Sequence, residues 1–216
     1  LVLLLLALAV TGLPVPTPNL RFLAACLAGG LAQVVATNLL IMAFGFRNFA
    51  VGTAYSKTDV VQSAVIALIL LHEVLRPLAW AGIALGLTGV MTLSLAGRGL
   101  RPGDLLRATV QPAALCGLGA GFGFALTTVF IKLANQALSG PSLVVRALLV
   151  LVVTNTLQTL MQGGWLAWRE PQELRKAFTT WRSSSWAGTL SAAGSACWFT
   201  AFAMTDVALV RAVGQV

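Results

Sequence analysis

The stretch TAYSKTDVVQSAVIALILLHE, residues 53–73, decides how the rest of the chain is read, because it sets Lys57 and Asp59 inside an apolar run long enough to cross a bilayer. A carboxylate near the middle of hydrocarbon costs about 2.5–3.5 kcal/mol on insertion scales. It therefore lines a cavity, finds a partner or marks a site. Drawn as one regular helix over 49–72, the segment carries Tyr55, Thr58, Asp59, Gln62 and Ser63 within an arc of roughly 140°. Lys57 falls about 160° around from Asp59 on the same wheel, so the two cannot face one cavity as an ion pair.

The composition agrees with a membrane reading. The chain is 58% hydrophobic and 9% charged, with a mean hydropathy of +0.89, whereas soluble domains carry about 25% charged residues. Apolar runs of about 20 residues recur along its length, enough for a helix rising 1.5 Å per residue to cross a core of roughly 30 Å. No dyad alternation of the kind a transmembrane barrel needs is present. Six complete spans are expected, at 22–45, 49–72, 77–96, 113–135, 143–164 and 184–204. A shorter run at 1–13 ends at Pro14, Pro16 and Pro18, and a last run opens near Asp206. Both read as cut helices, so the sequence is expected to be an internal piece of a longer protein.

The net charge of +8 does not point to nucleic acid, because most Lys and Arg occupy short connections, where they set orientation in a membrane. Two connections are longer: one over 98–112, and the basic, tryptophan-bearing piece over 165–186, suited to the headgroup layer. The first divides the chain into two blocks, 1–97 and 113–216. Cys26, Cys116 and Cys197 lie far apart in apolar runs and read as packing residues, with no metal spacing. His72 beside Glu73 has no second ligand, so neither a metal nor a cofactor is expected. The run GLGAGFG, residues 117–123, reads as a helix packing face and not a nucleotide loop, since no strand precedes it. Gly82 and Gly86 read the same way.

Sliding the sequence by 158 positions sets Gly30 on Gly188, Thr37 on Ser195, Ala43 and Phe44 on Ala201 and Phe202, and Lys57 on Gln215. The match couples two adjacent spans in each block, as expected if each half is one repeat. Five helices per repeat, an odd number, would make consecutive repeats an inverted pair.

Within this frame, IALILLHE at 66–73, followed by Gly82 and then Gly89 and Val90, resembles the repeat of the EamA-type family of the drug/metabolite transporter superfamily. AMTDVALVRAVGQV, residues 203–216, resembles its second copy. The resemblance implies ten helices in two inverted five-helix repeats around a central cavity. It implies movement of small metabolites or toxic compounds by alternating access, with export as the expected direction and a bacterial inner (plasma) membrane as the expected place. The expected partners are a small-molecule substrate and the lipid bilayer, with proton or ion coupling open.

Cavity candidates follow from mid-span polarity. Asp59, with Tyr55, Gln62 and Ser63, either serves substrate or proton directly or meets a structural partner elsewhere in the bundle. Lys57 either snorkels to the interface or attracts an anionic group. Gln33 and Asn38 in one helix, and Ser195 and Trp198 in its repeat counterpart, either line the cavity or join helices. Arg211 and Gln215 complete the set from the last run. Two other classes remain open: a non-transporting membrane assembly subunit, which predicts a bundle packed solid through its centre, and an intramembrane lipid-modifying enzyme, which needs a convergent nucleophile, base or metal set.

Overall fold

In the computed structural model the described residues are 1–46, 49–96 and 110–214, and they form helices without any strand. In chain order these are α1 (Val2–Thr11), α2 (Leu20–Gly45), α3 (Phe49–Ser56), α4 (Asp59–Leu71), α5 (Pro77–Ala96), α6 (Pro112–Ala137), α7 (Leu143–Arg169), α8 (Pro171–Thr179), α9 (Trp181–Met204) and α10 (Val207–Val213). The connection predicted over 98–112 and the candidate Gln215 lie outside the described residues, apart from the connection's last three positions.

Four segments are long and apolar enough to cross a membrane: Leu20–Gly45, Val51–Leu71, Pro112–Ala137 and Leu143–Arg169. Exposed Leu5, Ile69, Leu85, Leu115 and Leu160 would be a liability in water and are suited to lipid. The chain is thus an all-helical, multi-pass membrane protein. Two expected spans stand outside that set. The one over 184–204 is helical within α9, a segment rich in Ser, Thr and Gly, and the one over 77–96 is helical within α5, where Pro77–Val90 forms an apolar helix.

Local chemistry sets the ends of the helices. Gly12 takes a left-handed conformation (φ 63°) and sends its N–H to the Leu8 carbonyl, a position glycine occupies without a Cβ penalty. The proline-rich linker that follows cannot continue the helix. Asn19 then serves two helices: its Oδ1 accepts from Phe22 N at 2.8 Å, opening α2, while its Nδ2 donates to the Ala137 carbonyl at the end of α6, at 2.6 Å. Ser142 Oγ accepts from Val145 N and opens α7. Buried side-chain donors inside the spans turn back on their own helices, as the Thr127 hydroxyl does to the Gly123 carbonyl and Asn135 Nδ2 to Ile131, which satisfies those donors where water is absent, while Asn135 Oδ1 has no partner among the described residues.

The chain divides into two compact units, and each draws on both sequence blocks. One comprises Leu1–Leu31 and Phe130–Met204. There α7 packs against α1, α8 and α9, and Gln158 donates to the Gly30 carbonyl at 3.4 Å. Its core includes Phe22, Cys26, Val145, Val150, Phe199 and Phe202. Of the three cysteines, all free, only Cys26 is buried; Cys197 is exposed. The second unit comprises Ala32–Val129 and Thr205–Val216. Its core joins Val60, Ala64, Leu75, Ile83 and Ala208, with Trp80 and Ala212 packed against them. A smaller cluster holds Val51, Tyr55 and Ala114.

Two expectations about helix shape are corrected. The segment over 49–72 is not one regular helix but two, α3 and α4, separated at Lys57 and Thr58. The wheel that set Lys57 opposite Asp59 therefore does not apply. Gly82 and Gly86 are not a packing face among the described residues: both are exposed, and a Cβ at either would meet none of those residues within 4 Å.

Candidate functional site

The break between α3 and α4 has a readable cause. Hydroxyl side chains crowd the sequence just before it, and such groups compete with the helical ladder for backbone carbonyls. Thr53 donates to the Phe49 carbonyl at 2.8 Å, Ser56 to Thr53 at 2.8 Å and Thr58 to Tyr55 at 2.6 Å. The backbone tightens in step, with Thr58 N bonding the Tyr55 carbonyl at 3.2 Å, one residue short of the α-helical spacing. Carbonyls released by the interruption are thus answered locally, the condition for irregular backbone at membrane depth.

The interruption rests against the glycine face of α6. A Cβ on Gly121 would stand 2.9 Å from the Ser56 carbonyl oxygen and 3.3 Å from Gln62 Nε2, and one on Gly117 would strike the Gly52 carbonyl. Gln62 reaches from α4 to the Leu118 carbonyl at 3.5 Å and also donates to Thr58 Oγ1 at 2.8 Å. The packing role read from GLGAGFG therefore has two counterparts: Gly117 and Gly121 face the backbone around residues 52–59, while Gly119 and Gly123 face Leu39 and Ala36 of α2.

Asp59 opens α4 and is buried, and its Oδ2 is ion-paired with Arg211 on α10. The carboxylate's side chain is 6% exposed and the guanidinium's 19%. In so dry a setting either charge alone is expensive, and the pair is retained by mutual neutralisation. The structural partner that sequence reasoning left open for Asp59 is Arg211.

A second bond seats α10. Asp206, its N-cap residue, makes no side-chain cap; instead Glu73 Oε2, just past the end of α4, accepts from Val207 N at 3.0 Å. His72 turns the chain into position by adopting the left-handed region at φ 55° as the C-cap of α4. Val207 and Ala208 are fully buried behind the cap. Replacing Glu73 by alanine is expected to cost about 0.5–2 kcal/mol, the range for a lost N-cap. Glu73→Gln, which keeps an acceptor and loses only the charge at the helix N-terminus, should cost about 0.3–1 kcal/mol. Detergent-titration unfolding of the purified variants measures both; equal losses would mean that charge, not the bond to Val207, is what Glu73 contributes.

The remaining candidates separate. Ser63 is fully buried and donates to the Val60 carbonyl at 2.8 Å. Tyr55 belongs to the cluster with Val51 and Ala114. Lys57 is half-buried in the turn between α3 and α4. Gln33 is half-buried on α2, and Asn38, one turn along, is exposed and donates to the Val34 carbonyl at 2.9 Å. Ser195 and Trp198 belong to the other unit, where the Trp198 ring lies 5.6 Å from that of Phe202. The structure thus joins Asp59 and Arg211 directly and adds Thr58, Gln62 and the Leu118 carbonyl beside them. Sequence reasoning missed the Leu118 carbonyl and the break itself. The signal for the break was available in three hydroxyl residues, Thr53, Ser56 and Thr58, within one turn and a half of an apolar run.

No family model matches the chain, and no curated protein or solved structure matches it.

Proposed function

We propose that the chain is part of a secondary transporter of the EamA type, moving a small polar or amphipathic metabolite or drug-like compound by alternating access, with export as its direction. In this reading the whole protein has ten helices in two inverted five-helix repeats, and it works in a bacterial inner membrane. The observation that carries the proposal is the interruption of an apolar span beside a buried carboxylate. Membrane transporters build midplane sites from discontinuous helices, because the free backbone ends and embedded charges there can bind ions and polar groups. Asp59 stands at such an end, near the middle of the α3–α4 segment, with its counter-charge on a different helix. Pairing that can be exchanged for a proton or a substrate group is what a coupled carrier requires. A second reading, a non-transporting assembly subunit, is favoured by the fact that Asp59 is already neutralised within the chain.

The test uses the intact protein. A thermal-shift screen across amino acids, organic acids, nucleosides and cationic drugs selects a stabilising compound, whose flux is then followed in reconstituted vesicles under an imposed pH gradient. Transport is expected, and Asp59→Asn should slow it by about tenfold or more, equivalent to a barrier change of about 1.4 kcal/mol, and flatten its pH dependence. A variant that keeps both its rate and its pH profile would remove Asp59 from the mechanism. A folded wild-type protein that moves none of the stabilising compounds would favour the assembly subunit.

A further inference from the structure

The membrane-spanning helix α7 ends at Arg169 in a segment that the transport reading does not use. Twenty-seven residues at 1.5 Å per residue exceed a core of roughly 30 Å, so the residues following α7 lie where hydrocarbon gives way to headgroups. There the chain reads WREPQELRKAFTTWR, with the pair Trp168–Arg169 before the nine-residue α8 and Trp181–Arg182 after it. In each pair the guanidinium lies over the indole, at 5.0 and 5.9 Å from the ring centroid.

At 100° per residue, Pro171, Leu174, Ala177 and Phe178 share one side of α8, within an arc of roughly 120°. Gln172, Arg175, Lys176 and Thr179 occupy the other. Every residue of α8 except Leu174 is exposed, Phe178 at 71%. Exposed too are Trp168 at 77% and Trp181 at 60%. Four cations, Arg169, Arg175, Lys176 and Arg182, stand in this segment against two carboxylates, Glu170 and Glu173. Only Lys176 is bonded to a carboxylate of the segment, to Glu173 at 2.5 Å, in an exposed pair of the kind that contributes little.

We infer that α8 and its flanking Trp–Arg pairs form a docking surface for anionic phospholipid, with the apolar side of α8 lying in the acyl boundary and the arginines on headgroup phosphates. Amphipathic helices with tryptophan and basic residues at their edges lie in that layer. Each indole fills the headgroup region while its arginine meets phosphate, for which the planar guanidinium is well matched. The net positive charge of the segment selects an anionic leaflet over a zwitterionic one, and continuity with α7 holds α8 at the required depth without any further contact.

The intact protein in nanodiscs tests this. Nitroxide labels are placed at Ala177→Cys, on the apolar side, and at Gln172→Cys, on the polar side, in a background with Cys26, Cys116 and Cys197 replaced by alanine. Their collisions with oxygen and with a water-soluble nickel chelate are compared in phosphatidylcholine discs with and without phosphatidylglycerol. In the anionic discs, position 177 should favour oxygen and position 172 nickel. Arg175→Gln and Arg182→Gln should each weaken binding of fluorescent phosphatidylglycerol by about fivefold. Equal nickel access at both positions in the anionic discs would show a solvated connection and overturn the proposal. So would protection of position 177 that is the same with and without phosphatidylglycerol, or phosphatidylglycerol binding indifferent to both arginine substitutions.

Discussion

Arg211→Leu is expected to cost the purified protein about 3–5 kcal/mol of stability, because it removes the counter-charge of the buried Asp59 carboxylate. Asp59→Asn should cost less, since a neutral amide can still accept from the guanidinium, but the arginine then becomes the buried, uncompensated charge. The informative variant is the double one. Replacing both members of a buried pair by neutral groups is often close to neutral, so Asp59→Asn combined with Arg211→Leu should recover most of the loss. A coupling energy of about 2 kcal/mol or more in the cycle would establish that the pair acts as a unit. Additive losses would show that Arg211 acts through packing alone. The double variant also separates the two functional readings: folded but unable to move substrate, it fits a transporter whose pair takes part in coupling, and folded with its assembly role intact, it fits a structural subunit.

The second large effect lies on the glycine face of α6. Gly117→Ala should destabilise by about 1–3 kcal/mol, the usual cost of overpacking, because the new methyl meets the Gly52 backbone oxygen and not the movable end of a side chain. Gly121→Ala should behave likewise against the Ser56 carbonyl, and it should additionally disturb the α3–α4 turn. Gly82→Ala and Gly86→Ala are the controls. Nothing lies within 4 Å of a Cβ at either, so better helix propensity should stabilise α5 by up to about 1 kcal/mol each. Unfolding in a graded detergent mixture, followed by tryptophan fluorescence, ranks all four. If Gly117→Ala and Gly82→Ala prove alike, the close approach of residue 52 to α6 is not a constraint on the fold.

Legibility in the sequence followed the range of the forces involved. Membrane class, helical architecture and the approximate positions of the apolar segments come from composition and run length, which are local and summed over many residues. Asp59 and Arg211 could both be singled out as charges in apolar surroundings. Their pairing could not, because 152 positions separate them and the repeat alignment drew attention to Lys57 and Gln215 instead.

Residues 53–73 show the same boundary at close quarters. From its residues alone, this stretch is apolar enough to cross a bilayer and carries a carboxylate that must be answered. That it crosses as two helices, and that the answer comes from Arg211, is visible only in the folded chain. The physical reason is that an apolar pattern constrains which faces are buried, whereas a break in the ladder and the choice of ion partner depend on what stands opposite. Here the glycine face of α6 lets the two segments approach closely, Gln62 spans the gap to the Leu118 carbonyl, and α10, capped by Glu73, brings the guanidinium to Asp59.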